Sequence, residues 1–442
     1  MTTVQLTAPA VRPRVLARTG LYAVLAVNVA VVTTFFLQTG LGSNALILLG
    51  RLAGLYGAAL MAFQLVLVAR LPWLDRRIGM DRLTRWHRWT GFSLLWLLVA
   101  HAVFITFGYA QLSSLPPVDQ LVHLATTIEG VLRAVVALVL IMLVGAVSAR
   151  FARRRLAYET WHFIHLYTYL AVLLAFSHQV AVGTTFTSSP TATAYWWGLW
   201  TFALGSVAVG RLGLPLWRNL RHRLRVAAVV PESDNVVSIY ITGRDLDKLP
   251  ARAGQFFLWR FMTKGRWWQA NPFSLSAAPD GRTLRLTAKA LGDGSAGLRQ
   301  LRPGTRVFVE GPYGAFTTMH RTRPNTLLIA GGVGITPIRA LLEELDGHTV
   351  VIYRVNTPQD AVLLDELRAL AHAKGAELHV VSGPAAPDKL APAVLTRLVP
   401  DVRDRDVFVC GPPGMAGAVL RNLRTLRVPK PQIHAERFSL AA

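Results

Sequence analysis

Long apolar runs alternate with short polar segments through the first half of this chain. The runs lie at residues 20–38, 45–69, 86–108, 128–149, 160–183 and 193–214. An apolar run of about twenty residues is long enough to cross the hydrocarbon core of a bilayer as a helix. The pattern therefore predicts a six-helix, all-α transmembrane domain at 19–214, preceded by an N-terminal tail at 1–18.

After residue 214 the pattern changes. Residues 225–243 and 283–290 alternate apolar and polar positions, which is typical of antiparallel strands. From Pro324 onward, short apolar runs alternate with helical stretches, which indicates a parallel doubly wound sheet. We expect an antiparallel β-barrel domain at 222–317 and a doubly wound α/β domain at 324–442, and so a multi-domain membrane protein.

The distribution of positive charge predicts how the chain lies in the membrane. The formal net charge is +23 at pH 7. The segments after the first, third and fifth runs contain no Lys or Arg, whereas the other connecting segments are rich in Arg. By the positive-inside rule, both termini are cytoplasmic and the protein is a multi-pass protein of the cell membrane. Basic chains also bind nucleic acid. Because the arginines here cluster at helix ends and no aromatic-basic motif accompanies them, we expect lipid as the partner and no nucleic acid.

Four histidines interrupt the apolar runs. His87 and His101 lie fourteen residues apart in the third run, and His165 and His178 lie thirteen apart in the fifth. Ionisable groups inside a membrane mark function by default. Each spacing separates two imidazoles by roughly 20 Å along a helix. We expect His87 to pair with His165 and His101 with His178, so that each pair binds one haem iron.

Helix geometry supports this ligand set on only one of the two helices. On an ideal helix His87 and His101 lie within about 40° of one face, but His165 and His178 lie roughly 140° apart. A π-bulge or a bend would absorb the difference, and His162 as ligand would be no better. The competing interpretation is interhelical or interfacial polar contacts, which we assign to His162, while His123 in an outer loop is solvated. Four histidines at matching depths favour haem.

Other residues limit or extend this interpretation. Cys410 is the only cysteine, which excludes a disulfide framework, a thiolate iron–sulfur cluster and covalent haem attachment, and so predicts b-type haems. Arg51 and Arg133 lie near the outer ends of their runs. Either they snorkel towards water, or they bind haem propionates or an anionic substrate.

A group of motifs in the barrel region predicts a flavin site. It combines an aromatic-and-hydroxyl shelf with a glycine-rich loop that suits an isoalloxazine and a pyrophosphate. The residues are Asn271, Pro272, Phe273, Ser274, Ser276, Lys289, Gly294 and Ser295, with the Gly311–Gly314 turn beside them.

A second motif predicts a nucleotide site. The turn between the first strand and helix of the α/β domain consists of Gly331, Gly332, Val333, Gly334, Ile335, Thr336 and Pro337. Amides at a helix N-terminus bind phosphate. Arg354 ends the second strand, where a basic residue suits a 2′-phosphate and favours NADPH over NADH.

With these motifs in view, nearly the whole chain resembles the ferric reductase and NADPH oxidase superfamily. The histidine pairs resemble its haem ligands, and Asn271–Ser274 is similar to its His-Pro-Phe-Thr/Ser flavin motif, with Asn in place of His. The Gly331–Pro337 turn and the segment containing Cys410, Gly411, Pro412 and Met415 resemble its pyridine-nucleotide motifs.

The resemblance also implies roles for individual residues. Cys410 would lie beside the nicotinamide, although a buried strand-end thiol is the alternative. Glu436 and Phe438 belong to a terminal motif whose aromatic residue covers the flavin. Arg51 matches an arginine beside the outer haem of oxidases, but Ile105 stands where some of them carry a second histidine.

The sequence thus predicts a transmembrane flavohaem oxidoreductase with FAD, NADPH and two b-type haems. Ser274 would hydrogen-bond near the reactive nitrogen of the flavin, and electrons would reach oxygen or a ferric complex on the outer face. Two alternatives remain at this stage. One is a membrane-anchored flavin reductase that serves a soluble or protein acceptor. The other is a haem-binding scaffold with a degenerate nucleotide domain.

Overall fold

The structure is a computed structural model that describes residues 13–437 except 41, 154, 157, 291–294, 296 and 385–386. These residues form two compact units. The helical unit comprises Val15–Leu71 and Asp81–Arg211. The sheet unit contains Pro72–Met80 and the residues from Leu212 onward.

Apolar helices build the helical unit and the segments that enter and leave it. In chain order the helices are α1 Pro13–Gln38, α2 Ala45–Val68, α3 Pro72–Ile78, α4 Met80–Ser113, α5 Pro117–Thr127, α6 Val131–Ser148, α7 Arg150–Arg153, α8 Tyr158–Val182, α9 Thr184–Thr187, α10 Pro190–Val207 and, after a π-helical turn at Ala208–Gly213, α11 Leu214–His222. Within the described residues, six helical stretches are long and apolar enough to cross a membrane. They coincide with the six predicted runs.

The helical unit buries little of its apolar surface. Its core contains Met61 and Ala62 of α2 together with Trp196 and Trp200 of α10. Elsewhere large apolar side chains such as Phe92 point outward. Such exposure is unfavourable in water and favourable in lipid, so it agrees with a membrane-spanning unit.

The first part of the sheet unit consists of short antiparallel strands. They are β1 Arg225–Ser233, β2 Val236–Thr242, β3 Phe256–Phe261, β4 Asn271–Ser274, β5 Thr283–Lys289 and β6 Val307–Tyr313. The described strands form two three-stranded sheets, ordered β1-β2-β5 and β4-β3-β6. The predicted antiparallel β domain is thus confirmed, as two sheets that do not close into a complete barrel. The isolated bridges Arg225–Arg306 and Leu275–Leu286 link the two sheets.

The second part is the predicted doubly wound domain. Its parallel sheet has the order β11-β10-β7-β8-β9. The strands are β7 Thr326–Gly331, β8 Thr349–Arg354, β9 Glu377–Val381, β10 Asp406–Gly411 and β11 Ile433–Arg437, and the helices are α12 Ile335–Glu344, α13 Leu364–Lys374, α14 Pro392–Leu398 and α15 Pro413–Thr425.

Strand alternation explains why helices cover both faces of this sheet. Leu328 and Val351 pack in one apolar cluster with α12 and α13. Their neighbours Leu327 and Val350 point the other way, into a cluster with α14 and α15. A strand with both faces buried reads as a continuous apolar run, which is why β7, β8 and β10 could be located from the sequence.

Helix α3 belongs to the sheet unit although it lies between two membrane helices in sequence. Its Asp75 is buried, and Oδ2 accepts a hydrogen bond from the backbone N–H of Gly314 at 2.7 Å. Arg76 donates to the carbonyl of Pro250 at 3.2 Å. The predicted domain boundaries assign this segment to the transmembrane domain, so the structure divides the chain differently here.

Candidate functional site

The four membrane histidines meet in the predicted pairs. The ring centroids of His87 and His165 are 6.1 Å apart, and those of His101 and His178 are 6.3 Å apart. The interplanar angles are 74° and 61°. His165, and not His162, is therefore the α8 residue that faces His87.

These separations fit a metal ion held between two imidazoles. A metal–nitrogen distance of about 2 Å on each side places the centroids of two opposed imidazoles roughly 6 Å apart. Two rings on one axis through the ion are free to rotate relative to each other, so the interplanar angles do not conflict with shared ligation. The donor set, two neutral nitrogens with no thiolate, suits a haem iron.

The helix that carries His165 and His178 needs no bulge to do so. α8 is α-helical from Tyr158 to Val182, whereas the sequence suggested that a π-bulge or bend would be required. Two rotatable bonds join each imidazole to the helix backbone. The rings of His165 and His178 can therefore each reach their partner on α4 although their Cα atoms do not lie on one face of α8.

A stripe of glycines makes room for His101. A Cβ at Gly54 of α2 would lie 2.6 Å from His101 Nδ1, and a Cβ at Gly50 would lie 2.8 Å from Ile105. His101 Nδ1 is 2.8 Å from the carbonyl of Gly50, and we infer that it donates there, which leaves Nε2 for a ligand. Sequence reasoning missed these residues, although the small-xxx-small spacing in an apolar helix was visible.

His165 is oriented by two other side chains. The ring of Trp161 stacks on the His165 ring at 5.0 Å and 29°. Trp161 Nε1 donates to Ser148 Oγ at 3.2 Å, and the same oxygen lies 3.5 Å from His165 Nδ1. An acceptor at Nδ1 orients a ligating imidazole and leaves Nε2 as the nitrogen for a ligand. No pattern in the sequence indicated Ser148.

Both candidate anion-binding arginines have protein partners. Arg51 donates to Thr39 Oγ1 at 2.7 Å and lies over the Phe36 ring at 5.5 Å. Arg133 forms an ion pair with Glu129 at 3.2 Å. A Cβ at Gly130 would lie 3.4 Å from the Cα of His178, so this ion pair is close to the second histidine pair. Their contacts with a haem or substrate stay predictions.

The predicted flavin motif forms β4, on the sheet that also contains β3 and β6. Asn271 pairs with Trp259 and Ser274 pairs with Phe256 across the two strands. Trp259 Nε1 donates to the carbonyl of Phe273 at 3.0 Å, which fixes the shelf from below. The Ser274 side chain is buried, and Pro272 lies exposed on the same strand.

A buried ionic network lies directly behind this strand. Arg285 Nε donates to Ser276 Oγ at 3.0 Å and its Nη1 donates to both carboxylate oxygens of Glu366 at 2.9 Å. Arg339 donates to the carbonyl of Ser276 at 3.1 Å and pairs with Glu343 at 2.7 Å. The network joins the strand region to α12 and α13. It occupies the Ser276 hydroxyl, so the predicted flavin contact of Ser276 stays a prediction.

The glycine-rich turn lies where the sequence predicted it, between β7 and α12. Gly332 has φ +53°, a conformation that L side chains rarely adopt, and a Cβ at Gly334 would lie 2.3 Å from the carbonyl oxygen of Cys410. The buried Tyr353 donates its hydroxyl to the carbonyls of Gly332 and Val362, at 3.3 and 3.2 Å. Burial raises the pKa of Tyr353, so the hydroxyl stays a donor at neutral pH. The turn continues into the α12 residues Ile335, Thr336 and Pro337.

The strand ends beside this turn bring two predicted residues together. Cys410 of β10 is paired in register with Glu436 of β11. The thiol is completely buried, and burial, with a smaller contribution from the Glu436 charge, raises the pKa of Cys410 well above its usual value. Cys410 is thus a neutral thiol rather than a thiolate nucleophile. Met415 packs over the turn, because a Cβ at Gly331 or Gly411 would lie 2.5 or 2.6 Å from its side chain.

Arg354 is buried at the end of β8, and its guanidinium is occupied by backbone. It donates to the carbonyls of Gly383 and Pro384 at 2.7 and 2.6 Å, and also to the carbonyl of Val355. These contacts hold the segment after β9 against β8. A contact with a 2′-phosphate stays a prediction.

The remaining predicted residues fall at the margins of the site. Lys289 ends β5, close enough to Asp360 to contribute to lowering its pKa, although the hydrogen bond from the Thr357 hydroxyl is the larger cause. Ser295 is described and partly buried, whereas Gly294 and Phe438 lie outside the described residues. Pro412 precedes the first residue of α15.

Three families match successive parts of the chain. The ferric reductase like transmembrane component matches residues 53–176, the FAD-binding domain matches 221–317, and the oxidoreductase NAD-binding domain matches 328–421. The order agrees with the histidine pairs, the β4 shelf and the glycine-rich turn.

The relatives include a flavohemoprotein and reductase components of monooxygenase systems. The chain is 30% identical over 234 residues to the ferredoxin–NAD(+) reductase component of an alkene monooxygenase system from Xanthobacter autotrophicus, covering 49% of this chain and 70% of that one. It is 31% identical over 243 residues to a flavohemoprotein from Burkholderia sp., covering 51% and 61%. It spans less than two thirds of that flavohemoprotein.

One solved structure is similar to part of the chain. The FAD/NAD-binding domain of a nitric oxide dioxygenase from Vibrio cholerae is 26% identical, with a TM-score of 0.42 over 49% of this chain and 99% of that one.

Proposed function

The chain belongs to the ferric reductase and NADPH oxidase superfamily, and on that premise we propose that it carries electrons from cytoplasmic NADPH across the membrane to an acceptor on the outer face. It is an oxidoreductase with FAD- and NAD-binding domains and a membrane domain of ferric-reductase type. The proposal adds the two haems, the direction of transfer and the acceptor.

The paired histidines carry the proposal. Two pairs with ring separations of 6.1 and 6.3 Å lie on the same two helices, α4 and α8. One pair would suffice for a haem-binding anchor. Two pairs at different positions along the helices would supply sites for two irons in series. A membrane anchor does not need a second site.

The chain's own groups would prepare each site. The turn at Gly331–Thr336 offers backbone N–H groups at the start of α12 to a phosphate, and Cys410 and Glu436 bound the adjacent strand ends. Ser274 presents a hydroxyl from β4 to a flavin. The His101 ring is oriented by Gly50 and the His165 ring by Ser148. When bound, a flavin converts the two-electron nicotinamide donor into one-electron steps that haem irons can carry.

The sidedness follows from the charge pattern. Arginine-rich segments between membrane runs lie on the cytoplasmic side under the positive-inside rule. That orientation places the His87–His165 pair near the cytoplasmic face and the His101–His178 pair near the outer face. The nucleotide and flavin sites would then lie on the donor side.

For the acceptor we propose oxygen, reduced to superoxide, or ferric complexes, without strong discrimination. If His101 and His178 both held the outer iron, no position would remain for the acceptor, so the last transfer would occur without binding of the acceptor to iron. Arg51 would favour a small developing anion by its charge. Against a dedicated oxygen site, Ile105 offers no polar partner next to the Gly50–Gly54 stripe.

An anaerobic titration with NADPH, followed by visible spectroscopy, tests the proposal. We expect bleaching of the flavin absorbance and reduction of two haems per chain. Reduction of the flavin in a protein that contains no haem would contradict it and leave a membrane-anchored flavin reductase with a soluble acceptor.

A further inference from the structure

Helix α11 turns its polar side chains towards the protein and its apolar side chains outward. Arg218 donates to the carbonyl of Gly311, and Asn219 exchanges hydrogen bonds with the backbone of Val309 at 2.7 and 2.8 Å. The side chains of Trp217 and Leu220 are 52% and 65% exposed. A surface helix of a soluble protein has the opposite arrangement.

A second exposed apolar feature is the loop between β3 and β4. Its sequence from Met262 to Trp268 is MTKGRWW, and the adjacent Trp267 and Trp268 are 62% and 53% exposed. Soluble surfaces rarely show two neighbouring tryptophans in this state, and such patches mark interaction sites.

Backbone contacts place the loop and the end of α11 at the same end of the small sheets. The N–H of Met262, where the loop begins, donates to the carbonyl of Arg306 at 2.9 Å. Arg306 forms an isolated bridge with Arg225, which follows α11 by three residues. The backbone N–H of Val307, the residue after Arg306, donates to the carbonyl of Leu224 at 2.9 Å. We call α11 and the 262–268 loop together the tryptophan edge.

Cations accompany the aromatic side chains on this edge. Arg221 lies over the Trp217 ring at 5.3 Å, Arg223 is exposed at the end of α11, and Lys264 is exposed in the loop. Trp with Lys or Arg is the composition of segments at the membrane–water interface, where indole rings sit at headgroup level and cations meet anionic lipid.

We propose that the tryptophan edge is a lipid-contact surface, which places Trp217, Leu220, Trp267 and Trp268 in the headgroup region of an anionic bilayer. Two observations select lipid over a protein partner. α11 is the C-terminal part of the last helical stretch, Pro190–His222, that is long and apolar enough to span a membrane. The cations Arg221, Arg223 and Lys264 lie beside the aromatic side chains, and although Arg221 also pairs with Asp245 at 3.6 Å, the excess of basic charge suits phosphate headgroups.

Site-specific fluorescence tests this surface in the full-length protein. The single native cysteine, Cys410, is fully buried and will not react with a thiol label. Leu220→Cys and Trp268→Cys are labelled with an environment-sensitive fluorophore, with Val380→Cys, 37% exposed on the edge strand β9, as the matched control. Trp267→Cys replaces Trp268→Cys if that variant does not accumulate. The proteins are reconstituted in phosphatidylcholine vesicles with or without phosphatidylglycerol, and a spin-labelled lipid is the quencher.

We expect the spin-labelled lipid to quench emission at positions 220 and 268 but not at 380, and phosphatidylglycerol to increase the quenching at 268. A blue-shifted but unquenched label at 268 would show that protein covers the edge and would overturn the proposal. So would equal quenching at all three positions. Quenching at 268 that is indifferent to phosphatidylglycerol would overturn the assignment to anionic lipid. None of these readouts depends on electron transfer, so their failure leaves the proposed function standing.

Discussion

The hydroxyl of Ser148 lies beside His165, where it would tune one of the proposed haem sites without being a ligand itself. It accepts a hydrogen bond from Trp161 Nε1 and lies 3.5 Å from His165 Nδ1. A hydrogen-bond acceptor at Nδ1 raises the basicity of a ligating imidazole and so stabilises the oxidised metal. The corresponding acceptor for His101 is a backbone carbonyl, which no substitution removes.

Ser148→Ala should therefore raise the reduction potential of one haem and leave the other unchanged. Loss of such an outer contact changes metal affinity by about tenfold or more, which corresponds to tens of millivolts for one electron. Potentiometric titration of the visible spectrum measures both potentials. Ser93→Ala on α4, whose hydroxyl donates to the carbonyl of Trp89 at 3.3 Å, is the control. An unchanged haem content together with two unchanged potentials would refute a positioning role for Ser148.

Arg354 offers a second test at the residue scale. Its guanidinium already donates to three backbone carbonyls. If Arg354 contacts the 2′-phosphate, as the sequence predicts, Arg354→Ala should raise KM for NADPH far more than KM for NADH, by about ten- to a hundred-fold. If the guanidinium only holds these carbonyls, the variant should have a lower melting temperature and similar increases in both KM values. Steady-state kinetics with both nucleotides decides between the two.

The sequence predicted which residues form the candidate site better than it predicted which groups those residues contact. Four histidines in apolar runs can be recognised from the sequence as candidate functional residues, because burying an ionisable group in a membrane costs free energy. The contacts of Arg354, Ser148 and Ser276 were not predictable, since each depends on which segment of the fold lies opposite. A lone serine or arginine in sequence carries no such information.

At the scale of elements, the glycine stripe on α2 sets how closely α4 approaches. A Cβ at Gly54 would lie 2.6 Å from Nδ1 and 2.8 Å from Cε1 of His101. Gly54→Ala should displace the His101 ring and lose one of two haems, so that the Soret absorbance falls by about half. Gly198→Ala on α10 is the control, because a Cβ there meets nothing within 4 Å. Full haem content in Gly54→Ala would show that α4 can shift to accommodate the added methyl group, and that the glycine is not required for the position of His101.

The periodicity of the sequence predicted the type of each element, but it did not predict whether the sheets close into a barrel. Alternation in residues 225–243 correctly predicted β1 and β2, and buried runs predicted the parallel strands. The alternation of a strand does not show how its sheet ends, so the sequence predicted the antiparallel barrel domain but not that its strands form two three-stranded sheets that do not close. β11 was missed because its residues Ile433–Arg437 carry three polar side chains and read as a surface segment.

At the scale of the whole molecule, the chain does not divide at one boundary. α3 lies between two membrane helices in sequence, yet its Asp75 is held by Gly314 in the sheet unit. Composition predicted one transition near residue 214. It could not reveal a seven-residue helix that leaves one unit for the other, because such a segment reads as an ordinary loop.

Transfer across a membrane is the central claim, and sealed vesicles test it most directly. The enzyme is reconstituted in proteoliposomes that contain a trapped, impermeant ferric complex, with a potassium ionophore to dissipate charge. NADPH is added outside, under nitrogen, so that only molecules whose nucleotide domain faces outward react. The matched variant is His101→Ala, which removes one ligand of the proposed outer haem.

We predict that external NADPH reduces the trapped complex in vesicles with the native chain. His101→Ala should abolish that reduction while its flavin is still bleached by NADPH. If an externally added ferric complex were reduced and the trapped complex were not, the account would be contradicted. The protein would then be a reductase whose helices serve only to hold it in the membrane.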